Sequence, residues 1–146
     1  MKRKVTELSF VQNIKQIGQG ACYFCELLIN VDIPEGITEL CESSFQGCAG
    51  LLNVKFPTTL KKVDKWAFKE CSSIESLDLS HTDLETIGKD AFGYCSELKS
   101  LRLNSTIRNP EYDPFSGCSK LVPSYIYNRG NSDNIFTYIR WKSTVR

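Results

Sequence analysis

Residues 68–79 read Phe-Lys-Glu-Cys-Ser-Ser-Ile-Glu-Ser-Leu-Asp-Leu, and the cysteine of this stretch recurs along the chain at a nearly constant spacing. The intervals are 23, 23, 24 and 23 residues, between Cys25, Cys48, Cys71, Cys95 and Cys118. A phenylalanine stands three residues before four of them, at Phe45, Phe68, Phe92 and Phe115. A fixed period of this length predicts a solenoid in which each repeat forms one turn and packs against its neighbours.

Two hydrophobic patterns alternate within the repeat. Leu77-Asp78-Leu79 places a polar residue between two apolar ones, the period of a strand with one buried face, and the pattern recurs in Leu8–Phe10, Val31–Ile33, Val54–Phe56 and Leu101–Leu103. Ala67, Phe68 and Cys71 are spaced to share one side of a helical or 3-10 turn. The sequence predicts an α/β repeat solenoid of about five turns of 23–24 residues, with short parallel strands on one face and short helical or 3-10 turns on the other.

The unit at residues 68–79 resembles the BspA-type leucine-rich repeat, whose units carry an aromatic residue, a cysteine and then alternating leucine and isoleucine. Residues 92–96, 115–119 and 33–37 fit the same pattern. The resemblance implies a leucine-rich-repeat arc, which we assign to residues 1–130, and the failure of the pattern beyond it predicts a capping helix in residues 131–146. Such repeats occur on bacterial surface adhesins and in proteins of single-celled eukaryotes, where they imply protein binding.

The charges of the chain almost cancel, with 18 Lys and Arg residues against 17 Asp and Glu and a net charge of +1. Such a chain has no strong field to attract it to phosphate backbones or to an anionic bilayer. Lysines surround Trp66, but one aromatic residue is a poor stacking platform, so no nucleic acid partner is predicted. Polar residues interrupt the segment behind the basic start, so no signal peptide and no membrane span are predicted, which favours a cytoplasmic location over an extracellular one.

No catalytic, cofactor-binding or metal-binding residue is predicted. Cys22 and Cys25 form a C-x-x-C pair, but a zinc site needs a second pair and a thioredoxin-like site needs a βαβ context. The repeat phase instead predicts buried structural thiols and leaves Cys41 as the exposed one. Residues 80–83, Ser-His-Thr-Asp, are adjacent on one loop, whereas a catalytic triad converges from separate parts of a scaffold, so we interpret them as a solvated insertion.

Partner binding is predicted on the strand face that packing leaves free. One residue per strand lines up there, and the row reads Ser9, Asp32, Lys55, Asp78, Arg102 and Tyr125. Alternating charge suits a folded protein or a peptide, whereas a polyanion would prefer a uniformly basic row. Two other candidates are Trp66, as a contact anchor, and the first predicted strand, whose Leu8 and Phe10 have no preceding turn to cover them and offer an edge for self-association.

The leading hypothesis is a non-enzymatic scaffold that binds a protein or peptide partner through the exposed strand face or the uncapped N-terminal edge. The alternative is a secreted or cell-surface adhesin fragment, for which Asn104-Ser105-Thr106 supplies a glycosylation acceptor. Reduced cysteines would favour the first hypothesis, and oxidised pairs would favour the second.

Overall fold

The computed structural model describes residues 5–10, 12–104, 107–108 and 112–121, together with the backbone of residues 126–128. Its strands are short and fall into two sets. The front strands are β2 (Asn30–Asp32), β4 (Asn53–Lys55), β6 (Ser76–Asp78), β8 (Ser100–Leu103) and β9 (Ile126–Asn128). The back strands, on the other side of the core, are β1 (Gln16–Ile17), β3 (Glu39–Leu40), β5 (Lys62–Val63) and β7 (Thr86–Ile87).

The pairing register reproduces the sequence period. Gln16 pairs with Glu39, Glu39 with Lys62, and Lys62 with Thr86, all in parallel, so that the steps of 23, 23 and 24 residues match those of the cysteines. One repeat is therefore one turn of a parallel-strand solenoid, as predicted. The four back strands form one continuous sheet, which accounts for about four turns, and the described part of the chain does not confirm the predicted count of five.

The third side of each turn, which joins a back strand to the next front strand, contains no helix in the described residues. Its N–H groups alternate between two kinds of acceptor. Tyr23 and Cys25 donate to the carbonyls of Gly20 and Cys22 in the same turn, while Cys22 donates to Ser44 of the next turn at 2.6 Å. In an α-helix each N–H group donates to the carbonyl four residues earlier, so none would remain to bond the next turn of the solenoid. The predicted helical or 3-10 face is thus not confirmed, and a run of hydrogen-bonded turns takes its place.

Left-handed backbone accompanies this alternation. Four of the described turns contain two residues with positive φ four positions apart, such as Gly20 at 65° and Phe24 at 54°, or Trp66 at 62° and Glu70 at 63°. Such a residue reverses the direction of the following peptide group, so that consecutive N–H groups point to different acceptors.

The core is built from the columns that the sequence period identified. The rings of four phenylalanines are stacked nearly parallel, with centroid distances of 5.1 Å between Phe45 and Phe68, 5.4 Å between Phe68 and Phe92, and 5.6 Å between Phe92 and Phe115. Leucine and isoleucine side chains from both strand sets bury themselves against this stack. Stacking neighbours supplies the burial that a single repeat lacks.

The two ends differ from the prediction or lie beyond the described residues. Leu8–Phe10 is not a strand, because β2 pairs only with β4 in the described chain. Val5, Leu8 and Phe10 are instead partly buried against the core. The capping helix predicted in residues 131–146 lies outside the described residues.

Candidate functional site

The predicted row of charged residues is exposed on the front strands. Asp32 pairs with Lys55 and Asp78 pairs with Arg102 in the parallel register, so each strand contributes one charged side chain. An Arg102 guanidinium nitrogen lies 3.8 Å from a carboxylate oxygen of Asp78, with both side chains at least half exposed. An ion pair this exposed adds little stability. The row is therefore available to a partner.

Hydrogen bonds set the protonation of the central carboxylate in this row. Partial burial acts to raise the pKa of Asp78, but the hydroxyl and the N–H of Ser80, which both donate to it, and the charge of Arg102 outweigh burial and lower the pKa below its ordinary value. Asp78 accordingly keeps its negative charge at neutral pH.

The end of the row is displaced from its predicted position. Arg102 pairs with Tyr127 and Leu101 with Ile126, so Tyr127 continues the row on the backbone, whereas Tyr125 lies outside the described residues. The reason is a longer connection: Leu98 precedes Leu101 by three residues, but Leu121 precedes Ile126 by five. An even shift preserves the alternation of faces, which is why the pattern alone misassigned it.

A second polar row runs beside the first. Asn53 Nδ2 donates to Asn30 Oδ1 at 2.7 Å, and Ser76 and Ser100 occupy the same position in the later strands. The two rows together give the front face hydrogen-bonding groups as well as charges.

Trp66 lies on the turn side, in a different part of the surface from the row. Its indole is half-buried and has two ammonium groups over it, Lys65 Nζ at 4.9 Å and Lys69 Nζ at 5.6 Å from the ring centroid. Lys69 also lies 5.8 Å from the ring centroid of exposed Tyr94. The predicted anchor is thus part of a ladder of alternating lysine and aromatic side chains.

The N-terminal end carries an apolar patch that sequence reasoning missed. Leu27, Ile29 and Leu52 are exposed to 51%, 48% and 49%, and Leu8 lines an open groove with the first two. Later turns place Ser73, Glu97, Glu75 and Lys99 in the same columns. A comparison of these columns in the sequence would have identified the patch, because polar residues in equivalent positions mark the columns as solvent-facing.

None of the cysteines is in a disulfide. The recurring cysteines and Cys22 are buried, and Cys41 is half-buried. The thiols of Cys48, Cys71, Cys95 and Cys118 donate to main-chain carbonyls 26 or 27 residues earlier. Burial raises the pKa of the Cys71 thiol, and a hydrogen bond with Cys118 together with burial raises that of Cys95. Burial and the charges of Glu39 and Asp64 also raise the pKa of Cys41, so its thiol lacks the thiolate character of a redox sensor.

The loop at residues 80–83 does not assemble a catalytic arrangement. His81 Nε2 lies 2.8 Å from the carbonyl oxygen of Phe56, and the buried Thr82 hydroxyl donates to the Leu79 carbonyl. Asp83 is exposed. His81 and Thr82 thus make structural contacts with main-chain carbonyls, and no cluster of three or more metal-ligating side chains occurs in the described residues.

The glycosylation acceptor predicted at Asn104 is inaccessible in the folded chain. Asn104 is 7% exposed, and its Nδ2 donates to the carbonyl oxygen of Thr82 at 2.6 Å. Because glycan attachment needs that nitrogen at the surface, the folded solenoid cannot be modified there.

The solved structures that are similar to this chain include three leucine-rich-repeat proteins. A leucine rich repeat protein of T. pallidum is 25% identical, with a TM-score of 0.67, over 81% of this chain and 56% of that one. A leucine rich cell surface protein of Faecalibacterium prausnitzii A2-165 is 22% identical, with a TM-score of 0.79, and the match covers 97% of this chain and 35% of that one. A leucine-rich repeat protein of Bacteroides ovatus ATCC 8483 is 24% identical, with a TM-score of 0.59, and the match covers 74% of this chain and 34% of that one. The chain spans from about a third to just over half of their lengths.

No curated protein shows significant sequence similarity to the chain. In the part of the chain that the structure describes, no helix is long and apolar enough to cross a membrane. The BspA type leucine rich repeat region matches residues 1–135 in six copies. The chain therefore belongs to the BspA-type leucine-rich-repeat family.

Proposed function

We propose that the chain is a non-enzymatic scaffold that binds a protein partner on its front face. The observation that carries this proposal is the row of Asp32, Lys55, Asp78 and Arg102, in which exposed charges of alternating sign stand one to a strand above a buried core. A well-packed platform loses little conformational freedom on binding. Alternating charges fit a complementary protein surface and disfavour a polyanion.

The test compares capture of proteins from a native cell extract by three forms of the chain. One is the wild type, and one has Asp32, Lys55, Asp78 and Arg102 changed to Ala. The matched control has four exposed charged residues near the back strands changed to Ala, namely Lys15, Lys61, Glu85 and Arg108. A specific band lost only from the front-row variant supports the proposal, and equal bands from all three forms contradict it.

The N-terminal end is the second binding region that we propose, either for a partner chain or for a second copy. Leu8 and Phe10 are only partly buried there, and Leu27 and Leu52 extend the apolar surface. Changing Leu27 and Leu52 to Ser removes exposed apolar area without touching the core, and should lower the association state seen in ultracentrifugation. Leu8→Ser with Phe10→Ser tests the same end. A single unchanged species in all forms would contradict association through this end.

A role at the cell surface is the better supported of the two settings for this scaffold. Its support is the similarity to a structure described as a leucine rich cell surface protein. The burial of the recurring thiols is compatible with an oxidising environment, since buried thiols are protected from exchange. Antibody labelling of intact cells should give signal without permeabilisation. Signal that appears only after permeabilisation would favour the cytoplasmic setting instead.

A further inference from the structure

Within the described residues, the front strands are interrupted between β4 and β6, where the back strands and the turn side are continuous. In the back sheet β3 pairs with β5, and on the turn side the N–H of Phe45 donates to the carbonyl of Ala67 at 2.7 Å. On the front, β2 pairs with β4 and β6 pairs with β8, but among the described residues no main-chain hydrogen bond joins β4 to β6. Two strand edges therefore face each other unpaired in the middle of the predicted binding face.

The alternation of a parallel ladder identifies the free main-chain groups. On β4, Asn53 and Lys55 direct their N–H and C=O groups to β2, so Val54 directs its own toward β6. On β6, Leu77 directs its N–H and C=O groups toward β8. Its neighbours Ser76 and Asp78 therefore direct theirs toward β4. Unpaired strand edges are templates for another extended chain.

Burial and side-chain contacts mark the same place. Val54 is half-buried, whereas Val31 and Leu77 in the same column are 3% exposed. Side chains take over the bridging role at the two ends of the gap: Ser73 Oγ donates to the Ala49 carbonyl, and His81 Nε2 contacts the Phe56 carbonyl. We call the opening between residues 49–56 and 73–81 the slit.

The walls of the slit carry complementary charges and an apolar floor. Lys55 is exposed on one edge and Asp78 on the other, with Val54 between them and half-exposed Leu52 beside it. An extended segment with an acidic residue near Lys55 and an apolar residue toward Val54 satisfies both the charge and the apolar surface.

We propose that the slit binds an extended peptide segment of the protein partner, which adds as a strand to the free edges of β4 and β6. Main-chain hydrogen bonds to Val54, Ser76 and Asp78 hold the segment, and an apolar side chain packs on Val54 and Leu52. This inference rests on the proposed function, because it names the part of the partner that the front face recognises.

The probe is a fluorescent synthetic peptide that copies residues 29–34, Ile-Asn-Val-Asp-Ile-Pro. In the chain these residues contain β2, which pairs in parallel with the opposite edge of β4 and places Asp32 beside Lys55. The control peptide has the same sequence with a methyl group on the main-chain nitrogen of the valine. It keeps the side chains and loses one main-chain donor.

The variant that tests the slit is Ser76→Pro. Proline has no N–H group, and the N–H of Ser76 faces the slit, so this change removes a binding group from an edge position where proline is tolerated. Ser76→Ala keeps the N–H and is the matched control. We expect anisotropy titrations to show at least a tenfold weaker affinity for Ser76→Pro than for Ser76→Ala, and a similar loss with the methylated peptide on the wild type.

Circular dichroism establishes that each variant is folded. If Ser76→Pro does not fold, Lys55→Glu on the exposed rim replaces it, with the same expected loss. Equal affinity of the two peptides, equal affinity of the folded variants, or no binding to the wild type up to about 1 mM peptide overturns the proposal. If the peptide does not bind but the front-row variant still loses its captured partner, the proposed binding of a peptide in the slit is wrong and the proposed scaffold function stands.

Discussion

The thiol of Cys71 donates a hydrogen bond to the carbonyl oxygen of Phe45, 3.2 Å away in the preceding turn. The same carbonyl already accepts the N–H of Cys48 at 3.3 Å, so the thiol supplies its second partner inside the core. The equivalent contact of Cys95 with Phe68, at 3.3 Å, repeats the arrangement one turn later. The cysteine column thus joins neighbouring turns through polar contacts as well as through packing.

Removing this thiol should destabilise the solenoid. We expect Cys71→Ala to lower the free energy of unfolding by about 1–3 kcal/mol, because it removes the donor and leaves a small void. Urea unfolding followed by circular dichroism measures the change. Half-buried Cys41 provides the control, since Cys41→Ala should stay within about 0.5 kcal/mol of the wild type. An equal change in unfolding free energy for Cys71→Ala and Cys41→Ala would show that the buried thiol of Cys71 does not stabilise the fold more than the half-buried one.

A glycine on the turn side makes room for an aromatic ring of the preceding turn. Gly47 has φ of 76°, and a Cβ atom there would lie 2.7 Å from the ring of Phe24. Gly47→Ala should therefore cost at least about 2 kcal/mol of unfolding free energy, from left-handed strain and displacement of the ring. Gly18→Ala is the control, because nothing lies within 4 Å of a Cβ there. If Gly47→Ala and Gly18→Ala unfold at the same urea concentration, the ring does not need this space.

Trp66 occupies a backbone conformation that its neighbours in the repeat fill with small polar residues. Its φ is 62°, and Ser43 and Asp90 at the equivalent positions have φ of 59° and 50°. A left-handed conformation costs about 1–3 kcal/mol for a non-glycine residue, while cation–π contacts at such a site return about 0.5–1 kcal/mol each. We expect Trp66→Asn to remain within about 1 kcal/mol of the wild type in thermal unfolding, because asparagine tolerates this conformation.

Because Trp66→Asn should change the stability little, it also tests whether Trp66 contacts the partner. If Trp66 contacts the partner, Trp66→Asn reduces capture of the partner while the unfolding temperature stays close to that of the wild type. Retained capture together with a large loss of stability would assign the tryptophan a structural role instead.

Acid should weaken the contact between the turn that contains β2 and the turn that contains β4. Glu35 accepts the N–H and the hydroxyl of Thr58, each at 2.8 Å, and these bonds hold the pKa of Glu35 below its ordinary value of 4.5. A depressed folded-state pKa adds stability that is complete above the unfolded-state pKa and is lost as the pH falls through the folded-state value. Unfolding of the wild type should therefore depend more steeply on pH between about 5 and 3 than unfolding of Glu35→Gln. Identical pH profiles would contradict this role of Glu35.

The period of the sequence was sufficient to predict the solenoid, its buried columns and the exposed row. The back strands were harder to predict, because a pair such as Gln16–Ile17 is too short to show alternation, although Ile17 belongs to a regular apolar column. The left-handed residues on the turn side include Phe24 and Trp66, whose intrinsic preferences point away from positive φ. The helical turn was predicted because spacing reports which side chains share a face and not which carbonyl each N–H finds.

The slit was invisible in the sequence for a related reason. Val54–Phe56 and Leu77–Leu79 carry the same alternation as strands that do pair, so the pattern gives the facing of side chains and not the hydrogen bonding between turns. The one-residue insertion near His81 was visible, and its contact with the Phe56 carbonyl shows that the insertion lies at one end of the interruption. The position of Tyr127 in the row likewise depended on two extra residues that keep the alternation intact.

The most direct test of the central claim is site-specific photo-cross-linking in the native cell extract. A benzophenone amino acid replaces Lys55 on the front or Lys61 beside the back strands, two exposed lysines. If the front face binds the partner, irradiation yields a discrete cross-linked species with the probe at position 55 and none with it at position 61. The same species from both positions, or from position 61 alone, would contradict a binding site on the front face.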